Sequence, residues 1–185
     1  MYDECLIYKI FVPNEIVQYY FPNYLIAYKE NNLLNYQRRI YFFSSSNSTR
    51  IPFDDYIDQN SNWISLKSFL QILLREPNSQ IRYSFVLLDN YLIFIRVPYL
   101  LPKSFHPLCK HITISSRSQY VRFAGEIWCD EFKQIYVNNN SGTYRPSDVL
   151  IQSIIEFFSY LLPKKQFYGI SYRINALPPM RERIL

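Results

Sequence analysis

Residues 81–97 read IRYSFVLLDNYLIFIRV, and two features of that stretch set the fold. The runs 81–88 and 91–97 are rich in β-branched and aromatic residues, and each has the length of a strand. Only Asp89-Asn90 separates them. Two such residues tolerate left-handed backbone, so a hairpin closed by a type I′ turn is expected. An antiparallel pair at the centre of the chain makes a sheet the organising element.

Upstream, Ile64, Phe69, Leu70, Leu73 and Leu74 recur at helical spacing, and Pro77-Asn78 closes the pattern. A helix is expected over 61–76 with Ser61 as its cap. Downstream, 112–115, 120–127 and 134–137 read as strands. Pro146-Ser147-Asp148 then opens a second helix, expected over 147–162, with Ser147 as cap and an apolar face of Val149, Ile151, Ile154, Ile155, Phe158 and Leu161. A last strand is expected over 167–174. The first sixty residues are strand-rich, with a strand over 5–12, a helical turn over 15–20 and apolar runs at 24–28 and 39–43. Strands arrive in runs and hairpins instead of strict strand–helix alternation. The expected class is therefore α+β: one domain over 1–185, a mainly antiparallel sheet covered on one face by two principal helices.

Composition narrows function by exclusion. The 185 residues carry only three glycines, against the three that a single dinucleotide-binding turn requires, so no cofactor is expected. Three cysteines without CxxC spacing, and two histidines, do not make a zinc pattern, and no metal is expected. Asp54, Asp55 and Asp58 lack the glycine and closing glutamate of a calcium loop. No apolar run is long enough to span a membrane, and 1–11 does not read as a signal peptide, which sets the expectation of an intracellular protein. The formal charge is +5, and the bases of the middle segment are scattered singly. Scattered bases read as a solvated face and disfavour nucleic acid as partner.

The segment 121–147, VRFAGEIWCDEFKQIYVNNNSGTYRPS, holds two of the three glycines. Gly125 within a strand implies a bulge or a close backbone approach. Gly142 after Ser141 implies a turn with positive φ. That turn is expected to carry Tyr144 and Arg145 to the rim where sheet meets helix. Ala124-Gly125-Glu126 and Ser141-Gly142-Thr143-Tyr144-Arg145-Pro146 resemble the AGE…SGHYxP segment of plant IQ-motif-containing calmodulin-binding proteins and of similar bacterial and large-virus proteins. The resemblance implies a shared domain core. Thr143 stands where that family usually has His. Ile151-Gln152 begins like an IQ motif but lacks the basic residues that follow it, so no calmodulin motif is present.

Two functional readings follow. The first is a non-catalytic interaction or assembly module for a protein partner or a second copy, because Tyr and Arg anchor interfaces and aromatics are abundant, at 18 Tyr, 14 Phe and 2 Trp. Gly125, Gly142, Tyr144 and Arg145 would form its contact turn. The alternative is a small effector-like transferase or hydrolase. Its general base would be His111, its nucleophile Ser115 or Ser141, its acid Glu126, and Tyr144 and Arg145 would stabilise developing charge.

Overall fold

The computed structural model describes residues 6–22, 26–27, 41–43, 50–52, 57–59, 61–97 and 110–172. The polar loop at 44–49, Asp54 and Asp55, the proline-rich connector 98–107, Cys5, His106, Cys109, the end of the expected last strand at 173–174 and the basic tail lie outside them. Along the chain come β1 (Ile7–Phe11), α1 (Asn14–Tyr20), β2 (Ile26–Ala27), β3 (Tyr41–Phe43), β4 (Arg50–Pro52), β5 (Ser61–Trp63) and α2 (Leu66–Arg75). β6 (Arg82–Leu87), β7 (Tyr91–Val97), α3 (His111–Ile114), β8 (Tyr120–Val121), β9 (Phe123–Cys129), β10 (Ile135–Asn138), α4 (Leu150–Leu161) and β11 (Phe167–Ile170) follow.

Among the described residues seven strands make one sheet in the order β11-β10-β9-β6-β7-β1-β5. Its inner pairs are all antiparallel, and only the edge pairs β1/β5 and β10/β11 run parallel. The molecule is α+β with a mostly antiparallel sheet. β6 sits at the centre and is buried on both sides, so its alternation sorts two cores. Tyr83, Phe85 and Leu87 face α1, α2 and α4 together with Phe69, Phe94, Phe123, Phe157 and Phe158. The rings there stack closely: Phe69 lies 4.0 Å from Phe94, and Phe85 lies 5.7 Å from Phe123. Val86 faces the other way and joins Ile7, Ile93, Ile95, Ile114, Ala124 and Tyr144 in a smaller core. The two principal helices cover one face as expected, α1 joins them, and α3 lies on the opposite face.

The 81–97 hairpin forms with Leu87 opposite Leu92, but its turn is not type I′. Neither Asp89 nor Asn90 has positive φ. Neighbouring segments set the turn instead: the Asp89 carboxylate accepts from Arg122 Nε at 2.7 Å, and the Asn90 carbonyl accepts from the Val12 amide at 2.9 Å.

Four other expectations change. Ser61 does not cap a helix, because Ser61–Trp63 pairs parallel to β1. The cap is Ser65, whose Oγ accepts from the Ser68 amide at 3.0 Å. The run 112–115 is a helical turn, not a strand. It is too short for apolar periodicity to separate the two, and left-handed Ser116 and Arg117 (φ 51° and 62°) reverse the chain after it. The strand over 120–127 breaks at Arg122 into β8, which pairs with β2, and β9, which enters the main sheet. Finally, α4 starts at Leu150, not at 147, with no side-chain cap. The Asp148 carboxylate accepts from Asn139 Nδ2 at 2.7 Å, so it is engaged away from the helix amides.

Candidate functional site

The expected site residues meet on the sheet face that carries α3. His111 opens α3 and is buried, with Nε2 2.9 Å from the Gly125 carbonyl oxygen. A carbonyl only accepts, so Nε2 carries the proton and donates. Burial pushes the imidazole below its ordinary pKa of 6.5, against the opposing pull of that carbonyl and of the Glu126 charge.

Glu126 lies on β9, half-buried. Its carboxylate accepts from Arg82 Nη1, Asn138 Nδ2 and Asn140 Nδ2, each at 3.0 Å. Arg82 also lies over the Trp128 ring at 4.2 Å, and Trp128, Tyr136 and Tyr168 continue as a ladder of rings across β9, β10 and β11. These are register partners, so the ladder follows directly from strand pairing.

Tyr144 and Arg145 part company. Tyr144 is only 2% exposed. Its hydroxyl donates to the Ser118 carbonyl and is hydrogen-bonded to Ser115 Oγ at 2.7 Å. Arg145 is exposed, takes φ 49°, and its Nε donates to the Gly142 carbonyl at 3.2 Å. The expected pairing of phenol and guanidinium on one rim is therefore corrected: the left-handed residue of this turn is Arg145, not Gly142, and it points the two side chains differently. Gly142 has no positive φ, and a Cβ there would meet nothing within 4 Å. Gly125 is the close approach the strand glycine implied. A Cβ would sit 1.9 Å from the Asn138 carbonyl oxygen. Ser141 is buried, and its Oγ accepts from the Tyr144 amide at 3.2 Å.

His111, Glu126 and the 141–145 turn thus share a face, yet His111, Ser115, Ser141 and Tyr144 are buried and hydrogen-bonded internally. None of the six expected catalytic residues lines any of the cavities described below. Among the described residues no three side chains of His, Cys, Asp or Glu group to hold a metal, and no helix is long and apolar enough to cross a membrane. Cys129 is a buried free thiol, and burial raises its pKa. Of the scattered bases, Arg82, Arg96 and Arg122 are ion-paired with Glu126, Glu76 and Asp89.

Sequence reasoning missed a second region, where the C-terminal ends of α1 and α4 meet. Cavities of about 610 and 390 Å³ there share Tyr19, Tyr20 and Tyr160. Glu156 and Ser159 line the first, and Glu15 and Ile16 line the second. Tyr19 is 78% exposed and Tyr160 58%. The signal was available: Glu15 precedes Tyr19, and Glu156 precedes Tyr160, by four residues, so each helix aligns an acid and a phenol along one side. A further cavity, about 370 Å³, has the Arg122–Asp89 ion pair in its wall.

Compared with protein-family models, curated proteins and solved structures, the chain gives no significant match.

Proposed function

We propose that the protein is a non-catalytic interaction or assembly module, and that it meets its partner through the tyrosine-rich rim of α1 and α4. One observation carries this reading: His111, Ser115, Ser141 and Tyr144 are buried and hydrogen-bonded within the fold, whereas exposed Tyr19 and Tyr160 gather on the α1–α4 rim. Buried hydrogen-bonded polar groups order a core. Exposed aromatic clusters supply contact area at low entropy cost. The segment resembling the plant calmodulin-binding proteins enters this reading as framework, since Ala124 and Tyr144 pack in the smaller core and Gly125 lets β9 and β10 close.

The experiment is light scattering on the full chain purified gently at low salt. The reading expects a mass above the 22.4 kDa of one chain, from a second copy or from a partner carried through. A monomer at every concentration counts against it.

A further inference from the structure

We infer that the α1–α4 rim receives an arginine side chain, presented by a basic segment of a partner protein. The inference deepens the proposed function and rests on reading that rim as the contact surface.

Its first support is where the fold leaves acidic charge without a partner. Among the described residues, Asp58, Glu76, Asp89 and Glu126 are ion-paired, and Asp130 and Glu131 each take two hydrogen bonds. Asp148 is tied to Asn139 on another segment. Glu15 alone of the described carboxylates takes neither a hydrogen bond nor an ion pair. Glu156 takes one bond, from the Gln152 amide on its own helix. Both glutamates are exposed, and both line the rim cavities, whose walls contain no lysine or arginine. The open acidic charge of a chain of net charge +5 therefore gathers at this rim. Such complementarity selects a cationic partner and steers its approach.

The second support is the supply of acceptors. Among the described residues, the Ser159 hydroxyl and the phenol oxygens of Tyr19, Tyr20 and Tyr160 take no hydrogen bond. With the two carboxylates they spread oxygen acceptors over an open surface. A guanidinium suits that spread, because it carries five N–H donors in a rigid planar fork and is more weakly hydrated than an ammonium. The third support is the exposed ring surface. Tyr19 and Tyr160 are 78% and 58% exposed, and each packs on Tyr20, at 5.0 and 5.8 Å between centroids. Rings already seated on one another form a fixed platform against which a planar cation can lie.

The probe is a fluorescent peptide of alternating arginine and glycine. The full chain is titrated into it at low salt and followed by anisotropy, beside matched peptides in which lysine or citrulline replaces arginine. The inference expects saturable binding, about threefold weaker for lysine and about tenfold weaker for uncharged citrulline. Glu15→Gln and Glu156→Gln should each weaken it about threefold and together about tenfold, with smaller effects at high salt. Tyr160→Ala removes an exposed ring and should weaken it about threefold. Glu131→Gln alters an exposed acid away from the rim and should leave binding unchanged. Citrulline that binds as arginine does overturns the inference, as does a double variant that binds like wild type or an equal loss in Glu131→Gln. Lysine that binds as arginine does overturns the choice of a guanidinium. Self-association abolished by the double variant overturns the choice of a separate partner, the arginine then coming from a second copy. A complex seen by light scattering that survives the double variant keeps the interaction reading and overturns this one, so the two failures are told apart.

Discussion

The Tyr144 hydroxyl and Ser115 Oγ lie 2.7 Å apart in the smaller core, joining the 141–145 turn to the end of α3. The same phenol donates to the Ser118 carbonyl, so one oxygen closes the loop that follows α3. Tyr144→Phe leaves both groups short of a buried partner and is expected to cost about 1–3 kcal/mol. Tyr144→Ala also removes the ring and is expected to cost about 3–5 kcal/mol. Urea denaturation measures both. A Tyr144→Phe loss below about 0.5 kcal/mol would mean the hydroxyl is already solvated.

Gly125 and Gly142 are expected to respond oppositely to alanine. At Gly125 the new Cβ meets backbone, the Asn138 carbonyl oxygen at 1.9 Å, so β9 and β10 must separate. We expect a loss of about 3 kcal/mol or failure to fold. At Gly142 space is open and φ is not positive, so Gly142→Ala should be neutral or stabilise by about 0.5 kcal/mol. Comparable losses at the two positions would contradict this account of the glycines.

Glu126→Gln tests the half-buried ion pair. The Arg82 and Glu126 side chains are 17% and 13% exposed, so the lost charge is only partly replaced by water. The expected cost is about 2 kcal/mol, below that of a fully buried pair. The Trp128 ring keeps Arg82 seated. Stability that is unchanged in Glu126→Gln would show the pair to be solvated.

His111 predicts a pH dependence with a definite sign. Its folded pKa lies below the ordinary 6.5 because burial disfavours the imidazolium. As pH falls through 6.5, the unfolded chain takes up a proton that the folded chain refuses, so stability falls with pH. His111→Gln keeps a donor for the Gly125 carbonyl but carries no such proton. Relative to wild type, it should gain stability between about pH 7.5 and about pH 5. Parallel pH profiles for the two chains would contradict a buried neutral His111.

What was legible in the sequence is what local pattern determines. The 81–97 hairpin shows itself because two strand-length runs flank two polar residues, and α4 shows itself through its apolar face. The turn type at Asp89-Asn90 was not legible, since Arg122 and Val12 hold it from distant positions. Nor was α3: His111-Ile112-Thr113-Ile114 alternates polar and apolar residues as a strand would, and burial of all four suits strand and helix alike. Tyr144 and Arg145 are adjacent in sequence, yet the φ of 49° at Arg145 leaves one buried and the other exposed. Glu15-to-Tyr19 and Glu156-to-Tyr160 are visible as spacings, but they acquire meaning only when α1 packs against α4, which is a tertiary fact.

The central claim is that partners meet the protein at the α1–α4 rim, and site-specific photo-crosslinking tests it most directly. A photoreactive phenylalanine replaces Tyr160, and in a control chain it replaces Phe132, an 84% exposed aromatic between β9 and β10. The account predicts a discrete adduct from position 160 that is absent from position 132. No adduct from 160, or the same adducts from both positions, would contradict it.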